Sequence, residues 1–403
     1  MDQAQWQFLL SAEGQRVVAE TAETRLTDKN HLQVASRLRE RIDPHLAQAV
    51  METIWLRQRA EGKFSRAKQM YFTRPALEQS SSEVVSTHRA RRFFEAGYER
   101  VADLGCGIGG DSLALAARAD VVGIDRERSR LAMARENVSV YGNSERFIPL
   151  QADLATLRPL AVDALFFDPA RRDDVGRRLK SVHLYRPPLS LIDDWRARVP
   201  HAGVKVSPGI DYAELPVDAD VEFISVAGEV KEAVLWYGGL RRGIARQATL
   251  LPKGHRFTSE DSPGVDVRPR TPAAYLYEPD GAIIRAHLIQ PLARHLGAAP
   301  IDATIAYLTS EQAIETPYAR RFVLDDWFPF QLKRLRHYLR ERNIGRVTIK
   351  KRGSPLDPAT LQRQLRLQGD GERTIFLTHV LGEPAVLVGR ESKKFGLNST
   401  LDT

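Results

Sequence analysis

The chain has 403 residues, of which 43% are hydrophobic and 27% charged, an ordinary composition for a globular protein long enough for two to four domains and a sizeable core. No apolar run approaches the ~18 residues of a membrane span, and no basic segment precedes an apolar one near Met1, so a cytoplasmic protein without a membrane partner is expected. The single cysteine, Cys106, excludes an intrachain disulfide and a cysteine-rich metal site, and no metal is expected; the net charge of +8 points to a polyanionic partner.

Residues 1–62 are expected to form a small helical domain. Trp6, Phe8, Leu9 and Leu10 open an apolar face, Thr27-Asp28 stands as a helix start before Leu32, Val34 and Leu38, and Ala47, Val50, Met51, Ile54 and Trp55 recur at helical spacing. Residues 63–98 mix basic and aromatic side chains, including Lys63-Phe64-Ser65-Arg66 and Lys68-Gln69-Met70-Tyr71-Phe72-Thr73. This segment reads as a solvated connection, a lid on a cofactor or a track for a phosphate backbone.

The chain is organised around Val101-Ala102-Asp103-Leu104-Gly105-Cys106-Gly107-Ile108-Gly109-Gly110, an apolar strand running into a glycine turn and a helix. Glycines there let backbone approach a ligand, and the following helix offers free N–H groups. A second strand, Val121–Ile124, ends in Asp125, placed to accept hydrogen bonds from both hydroxyls of a ribose. Gly105, Gly107 and Gly110 fit the G-x-G-x-x-G of a dinucleotide site, while Asp103, Gly105, Gly107 and Gly109 fit the D-x-G-x-G-x-G that resembles the first motif of class I S-adenosylmethionine methyltransferases.

Later residues separate the two. A third strand, Phe147–Leu150, is followed by Asp153, where an acid would sit beside a bound adenine. The fourth, Val162–Phe167, ends in Asp168-Pro169-Ala170-Arg171, at the strand end where doubly wound folds bind ligands. It resembles the [DN]-P-P-[YFW] motif of amino-group methyltransferases, in which the carboxylate and the first proline carbonyl orient an amine for in-line displacement. Ala170 and Arg171 depart from that motif, and an arginine plane can stack on a base or hold a phosphate. A turn or capping aspartate is the plainer role for Asp168. A fifth strand, Gly203–Ser207, is followed by a tight hairpin of Val221–Val226 and Glu232–Tyr237. Class I methyltransferases close their sheet with such an antiparallel last strand and nicotinamide-binding domains do not, so the reading moves to S-adenosylmethionine.

Residues 241–274 read as a linker, 275–325 as a small α/β unit, and 326–392 as a basic unit with a helix over 332–340, a strand over 346–350, a second helix through Leu361 and Leu365, and two closing strands. From Gln331 to Arg373 there are twelve Lys or Arg against four acids, an excess equal to that of the whole chain, among the aromatics Trp327, Phe328 and Tyr338. Such clustering fits a nucleic-acid surface, with Lys333, Arg336, Lys350, Lys351 and Arg352 as candidate contacts. Residues 393–403 are expected to be a disordered tail.

With these residues in hand, the chain resembles the bacterial class I S-adenosylmethionine-dependent methyltransferases that carry a C-terminal THUMP-like domain. The resemblance rests on Tyr71-Phe72-Thr73 with Leu77-Glu78-Gln79, on Asp103 to Asp111, on Phe167 to Arg171, on Lys205-Val206-Ser207-Pro208-Gly209 and on Lys350-Lys351-Arg352-Gly353. It implies an α/β fold with a seven-stranded Rossmann-like sheet and antiparallel last strand, between an N-terminal helical domain and C-terminal ferredoxin-like and THUMP-like units. It implies S-adenosylmethionine as cofactor, held by Asp103, Gly105, Gly107, Gly109, Asp125 and Asp153, with Thr73, Glu78 and Gln79 as further contacts of cofactor or substrate. It implies catalysis by Asp168 with Pro169 and Arg171, structured RNA (tRNA or rRNA) as partner, and a core similar to trimethylguanosine synthases. C5 methylation of a pyrimidine needs a cysteine nucleophile, and Cys106 lies in the cofactor loop. A 2'-O transfer would favour a lysine, for which Lys205 is the candidate. A small-molecule methyltransferase and a non-catalytic binder of S-adenosylmethionine or RNA are the alternatives.

Overall fold

A computed structural model describes residues 1–170 and 181–392. Arg171 and the segment 393–403 lie outside these residues. Among the described residues no helix is long and apolar enough to cross a membrane. The chain divides into two units, one built from residues 1–220 and 233–243, the other from residues 221–232 and from Ile244 onward.

The first unit opens with helices α1 (Gln3–Leu10), α2 (Ala12–Ala22), α3 (His31–Arg39) and α4 (Pro44–Ala60). Helix α4 starts where Asp43 accepts a hydrogen bond from the His45 N–H and Pro44 fixes the first turn. Its buried stripe includes Ala47, Val50, Met51, Ile54 and Leu56. Helices α5 (Arg74–Gln79) and α6 (Glu83–Glu95) lead to an alternating β/α layer: β1 (Arg100–Leu104), α7 (Ser112–Leu115), β2 (Asp120–Asp125), α8 (Arg128–Val140), β3 (Phe147–Gln151), β4 (Ala164–Phe167), α9 (Leu191–Arg196) and β5 (Ala202–Val206). Strands β4 and β5 are buried along their whole length, as parallel strands covered on both faces must be. The hairpin strands β6 (Asp220–Val226) and β7 (Glu229–Tyr237) follow, joined by Ala227-Gly228, both at positive φ.

With β8 (Arg246–Leu251) and β9 (His255–Thr258), the sheet order is β3-β2-β1-β4-β5-β7-β6-β8-β9. Strands β3, β2, β1, β4 and β5 are parallel, and β7 runs antiparallel to β5. This is the Rossmann-like sheet with a reversed last strand. Two strands lie inside the stretch expected to be a linker. Strand β8 runs parallel to β6, and β9 antiparallel to β8. The Pro252-Lys253-Gly254 turn between them gave the local signature of a loop.

Beyond that nine-stranded sheet, the second unit carries a seven-stranded one, from β10 (Tyr275–Pro279), β11 (Ala299–Pro300), β12 (Leu308–Ser310), β13 (Ala319–Pro329), β14 (Ile344–Lys351), β15 (Gly371–Val380) and β16 (Glu383–Glu391), in the order β11-β12-β10-β13-β16-β15-β14. Helices α10 (Gly281–Arg285) and α11 (Ile289–His295) precede β11; α12 (Leu332–Glu341) and α13 (Pro358–Leu365) flank β14. The boundary expected at 325/326 falls inside β13, which pairs with β10 on one side and β16 on the other, so 275–325 and 326–391 share one sheet. Phe328, Leu335, Leu339, Leu361, Ile375 and Val386 pack one core there. Leu276, Tyr307, Phe322 and Phe376 belong to another.

Candidate active site

The parallel order β2-β1-β4-β5 brings four strand ends together, with Leu104 opposite both Ile124 and Phe167, and Phe167 opposite Val204. The residues that follow those positions, or sit beside them, carry the candidate chemistry. Asp103 is buried at the end of β1 and accepts a hydrogen bond from Ser112 Oγ at 2.5 Å. Burial, then the neighbouring Asp111 charge, outweigh that bond and push its carboxyl up to about 8.

The glycine loop then turns. The Gly105 and Cys106 N–H groups both donate to Ile124 O at 2.9 Å. Gly107, at φ +56°, is a position where an added Cβ would meet nothing within 4 Å, so its backbone borders open space. Gly109 has a different duty. A Cβ there would stand 3.2 Å from Ala134 of α8, so this glycine lets the loop lie against that helix. Cys106 is buried, and burial pushes its thiol well up, which leaves it a weak nucleophile.

Asp125 closes β2 with Oδ2 accepting from Gly107 N–H at 3.1 Å and Oδ1 from Glu127 N–H at 2.8 Å. Each oxygen keeps a further acceptor site. Asp153 is exposed beyond β3, where Oδ1 accepts from Ala155 N–H at 2.9 Å and closes a turn.

Asp168 stands directly after β4, with Pro169 buried behind it. Its Oδ2 accepts from Lys205 Nζ at 2.5 Å; Lys205 is 3% exposed and Asp168 23%. The same ammonium donates to Ser81 Oγ at 3.0 Å. Behind this pair Arg89 of α6 is buried and paired with Asp111. Burial raises the Asp111 carboxyl; Arg89 and then Lys205 oppose that rise, and the Asp168 charge adds to it. Lys205, the lysine a 2'-O transfer would use and a candidate substrate contact from sequence, is the partner of Asp168. Sequence gives Arg89, Asp111 and Ser81 no individual role at the site, because nothing in their local spacing reports a partner 22 to 124 residues away.

The segment before α6 covers the glycine loop. A Cβ added to Gly110 would meet Ser80 Cβ at 3.5 Å and Ser81 backbone at 3.9 Å. Lys63 Nζ ties this segment down, donating to Leu77 O at 2.6 Å and Ser80 O at 3.0 Å. Thr73 caps α5 by accepting from Ala76 N–H; Glu78 pairs with Arg74, and Gln79 is exposed at the helix end. One turn earlier, Tyr71 is gripped from two sides. Asn137 of α8 accepts from its N–H at 2.7 Å and donates to its carbonyl and to Ile108 O, both at 2.9 Å. Arg57 of α4 donates to Met70 O at 2.9 Å and Gln69 O at 3.2 Å, with its guanidinium 5.0 Å above the Tyr71 ring. The N-terminal helices therefore hold the strap that lies on the glycine loop.

The candidate cations of the second unit are placed differently from one another. Lys333 and Lys351 are exposed on α12 and at the end of β14. Arg336 Nε donates to Gln364 O at 2.6 Å. Lys350 donates to Glu278 Oε2 at 2.6 Å, and Arg352 to Ala306 O at 2.6 Å with its guanidinium 4.6 Å from the Tyr307 ring.

Comparison with known proteins adds three matches along the chain. Residues 98–184 match the family described as RNA cap guanine-N2 methyltransferase, residues 319–391 the family described as THUMP domain-like, and residues 2–60 a domain of unknown function. Uncharacterized S-adenosylmethionine-dependent methyltransferases from two strains of Mycobacterium tuberculosis, CDC 1551 / Oshkosh and H37Rv, are each 36% identical over 349 residues, 82% of this chain and 92% of theirs. The crystal structure of a candidate methyltransferase from Porphyromonas gingivalis W83 superposes with a TM-score of 0.72 at 22% identity, over 92% of this chain and 100% of that one.

Proposed function

Because the chain belongs to the S-adenosylmethionine-dependent methyltransferases, we propose that its methyl acceptor is a base nitrogen of structured RNA, tRNA or rRNA, oriented by Asp168. The observation that carries this reading is Asp168 itself. It follows the central strand β4 beside the glycine loop, with one carboxylate oxygen taken by Lys205 and the other free to accept from an amine. An RNA acceptor is supported by the family descriptions matched at 98–184 and 319–391. It is also supported by the exposed cations Lys333, Arg334 and Arg340 on α12 and Lys351 on β14, which can meet phosphates. Lys350 and Arg352 already have partners in their own unit and are assigned to holding its fold.

The residues fit the cofactor. Open space beside Gly107 admits a ligand against backbone, and Asp125 has acceptor capacity for a ribose diol. Asp103 and Gly105 shape the turn, and Asp153, Thr73 and Gln79 are assigned as further contacts of the cofactor. When bound, S-adenosylmethionine would supply an electrophilic methyl group on a sulfonium, open to in-line attack by a nitrogen lone pair. Asp168 accepts one N–H of the acceptor and so aims its lone pair; Pro169 fixes the backbone carrying that carboxylate. The proton shed by nitrogen leaves past Asp168 to solvent. The contribution is positioning and charge placement, with no covalent enzyme adduct.

The test is transfer of labelled methyl from S-adenosylmethionine to total RNA from cells lacking this chain, followed by nucleoside analysis. Labelled N2-methylguanosine or N6-methyladenosine is the expected product. An unlabelled RNA pool, with S-adenosylmethionine bound, would remove the RNA reading.

A further inference from the structure

The mechanism above uses Asp168 but gives its buried neighbours no task. Lys205 is a lysine 3% exposed on a central strand, a costly place for a charge unless its partners repay the desolvation. Its ammonium divides between two elements: Asp168 Oδ2 at 2.5 Å, past β4, and Ser81 Oγ at 3.0 Å, on the strap that lies against Gly110. The charged groups around it are Asp111 on the glycine loop, Arg89 on α6 and Asp103 on β1. Two cations, Lys205 and Arg89, thus stand among the carboxyls of Asp168, Asp111 and Asp103.

We propose that Lys205 is a positioning residue for methyl transfer, clamping the substrate-facing carboxylate of Asp168 to the cofactor-side strap through Ser81. The proposal rests on the reading of Asp168 as the residue that meets the acceptor. One cation thereby fixes the side chain that aims the acceptor and the segment that borders the glycine loop. An oxygen held from one side at 2.5 Å leaves the other oxygen with a single preferred direction, set before any substrate arrives. Lys205 itself touches no substrate in this account. Its removal leaves Asp168 free to rotate and leaves the strap joined to the sheet at that point only by packing.

The experiment uses the full chain, labelled S-adenosylmethionine, and a whole extract of cells lacking the chain, containing RNA, protein and small molecules. The class of molecule that takes up label tests the RNA reading; the rate in variants tests the clamp, whichever class is labelled. Lys205→Met is expected to lower kcat about 100-fold with S-adenosylmethionine affinity within about twofold of the parent. Ser81→Ala, which removes the tether and spares the ion pair, is expected to lower kcat about tenfold, and adding it to Lys205→Met to cost nothing more. Lys205→Met transferring within threefold of the parent rate would overturn the proposal. So would loss of cofactor binding in step with rate, the signature of a merely structural lysine. Should Lys205→Met fail to fold, Ser81→Ala decides: a parent-like kcat overturns the clamp, and a tenfold loss at unchanged cofactor affinity sustains it.

Discussion

At the scale of single residues, the active-site end of the sheet is a cluster of charges that burial would expel unless each had a partner. Asp103 shows the cost. Its carboxyl is raised to about 8 because burial and Asp111 disfavour its charge more than Ser112 favours it. A carboxyl raised in the folded state binds its proton more tightly there than in the unfolded chain. The stability it contributes is therefore full below about pH 4 and is lost as pH rises toward about 8. Asp103→Asn is expected to remove that loss. The difference in unfolding free energy between variant and parent should grow in the variant's favour from pH 5 to pH 8, at up to about 1.4 kcal/mol per pH unit. Chemical denaturation across that range checks it, and a pH-independent difference would contradict it. Asn137 poses the opposite case, a buried amide with its oxygen and nitrogen both satisfied by Tyr71 and Ile108. Asn137→Ala strands an N–H and two carbonyls and should cost about 2–4 kcal/mol in a denaturant titration.

At the scale of elements, what the sequence made legible was whatever is local. Gly105, Gly107 and Gly109 follow an apolar strand, Asp125 and Asp168 end strands, and a turn expected at Gly228-Glu229, one residue beyond the Ala227-Gly228 turn of the structure, sits between two runs of strand formers. Periodicity and turn chemistry report each of these directly. The partners of Asp168 were not legible: Lys205 stood out only as a lysine suited to a 2'-O transfer and as part of a family motif, and its burial against Asp168 and Ser81 depends on how β4, β5 and the strap are brought together. Strands β8 and β9 were hidden by the Pro and Gly that turn the chain between them, and β13, whose first half Ala319 to Leu324 reads as a strand, runs on through the boundary expected at 325/326. In α12 both kinds of signal coincide. Leu335, Tyr338 and Leu339 face the core while Lys333, Arg334 and Arg340 face solvent. Leu335→Ala should lose about 2–5 kcal/mol of stability. Replacing the three cations with Ala should leave stability nearly unchanged and reduce the slope of log binding constant against log salt for RNA by about 3. An unchanged slope, measured by filter binding at several salt concentrations, would take RNA contact away from this helix.

At the scale of the whole molecule, the N-terminal helices are joined to the chemistry through one strap. Arg57 and Lys63 hold its carbonyls, Tyr71 is locked by Asn137, and Ser81 meets Lys205. These contacts account for a helical domain ahead of a methyltransferase core: it braces the strap over the glycine loop. Arg57→Met, which frees Met70 O and Gln69 O, should weaken S-adenosylmethionine binding about tenfold by calorimetry; unchanged affinity would detach that domain from the cofactor site. The central claim, that Asp168 aims a base nitrogen of RNA at the methyl group, is tested most directly by single-turnover transfer of labelled methyl to RNA by the parent and by Asp168→Ala, with cofactor binding measured on both. The account predicts labelled RNA from the parent and transfer reduced at least 1,000-fold in Asp168→Ala, with S-adenosylmethionine bound equally by the two. Equal labelling of RNA by both proteins would contradict it.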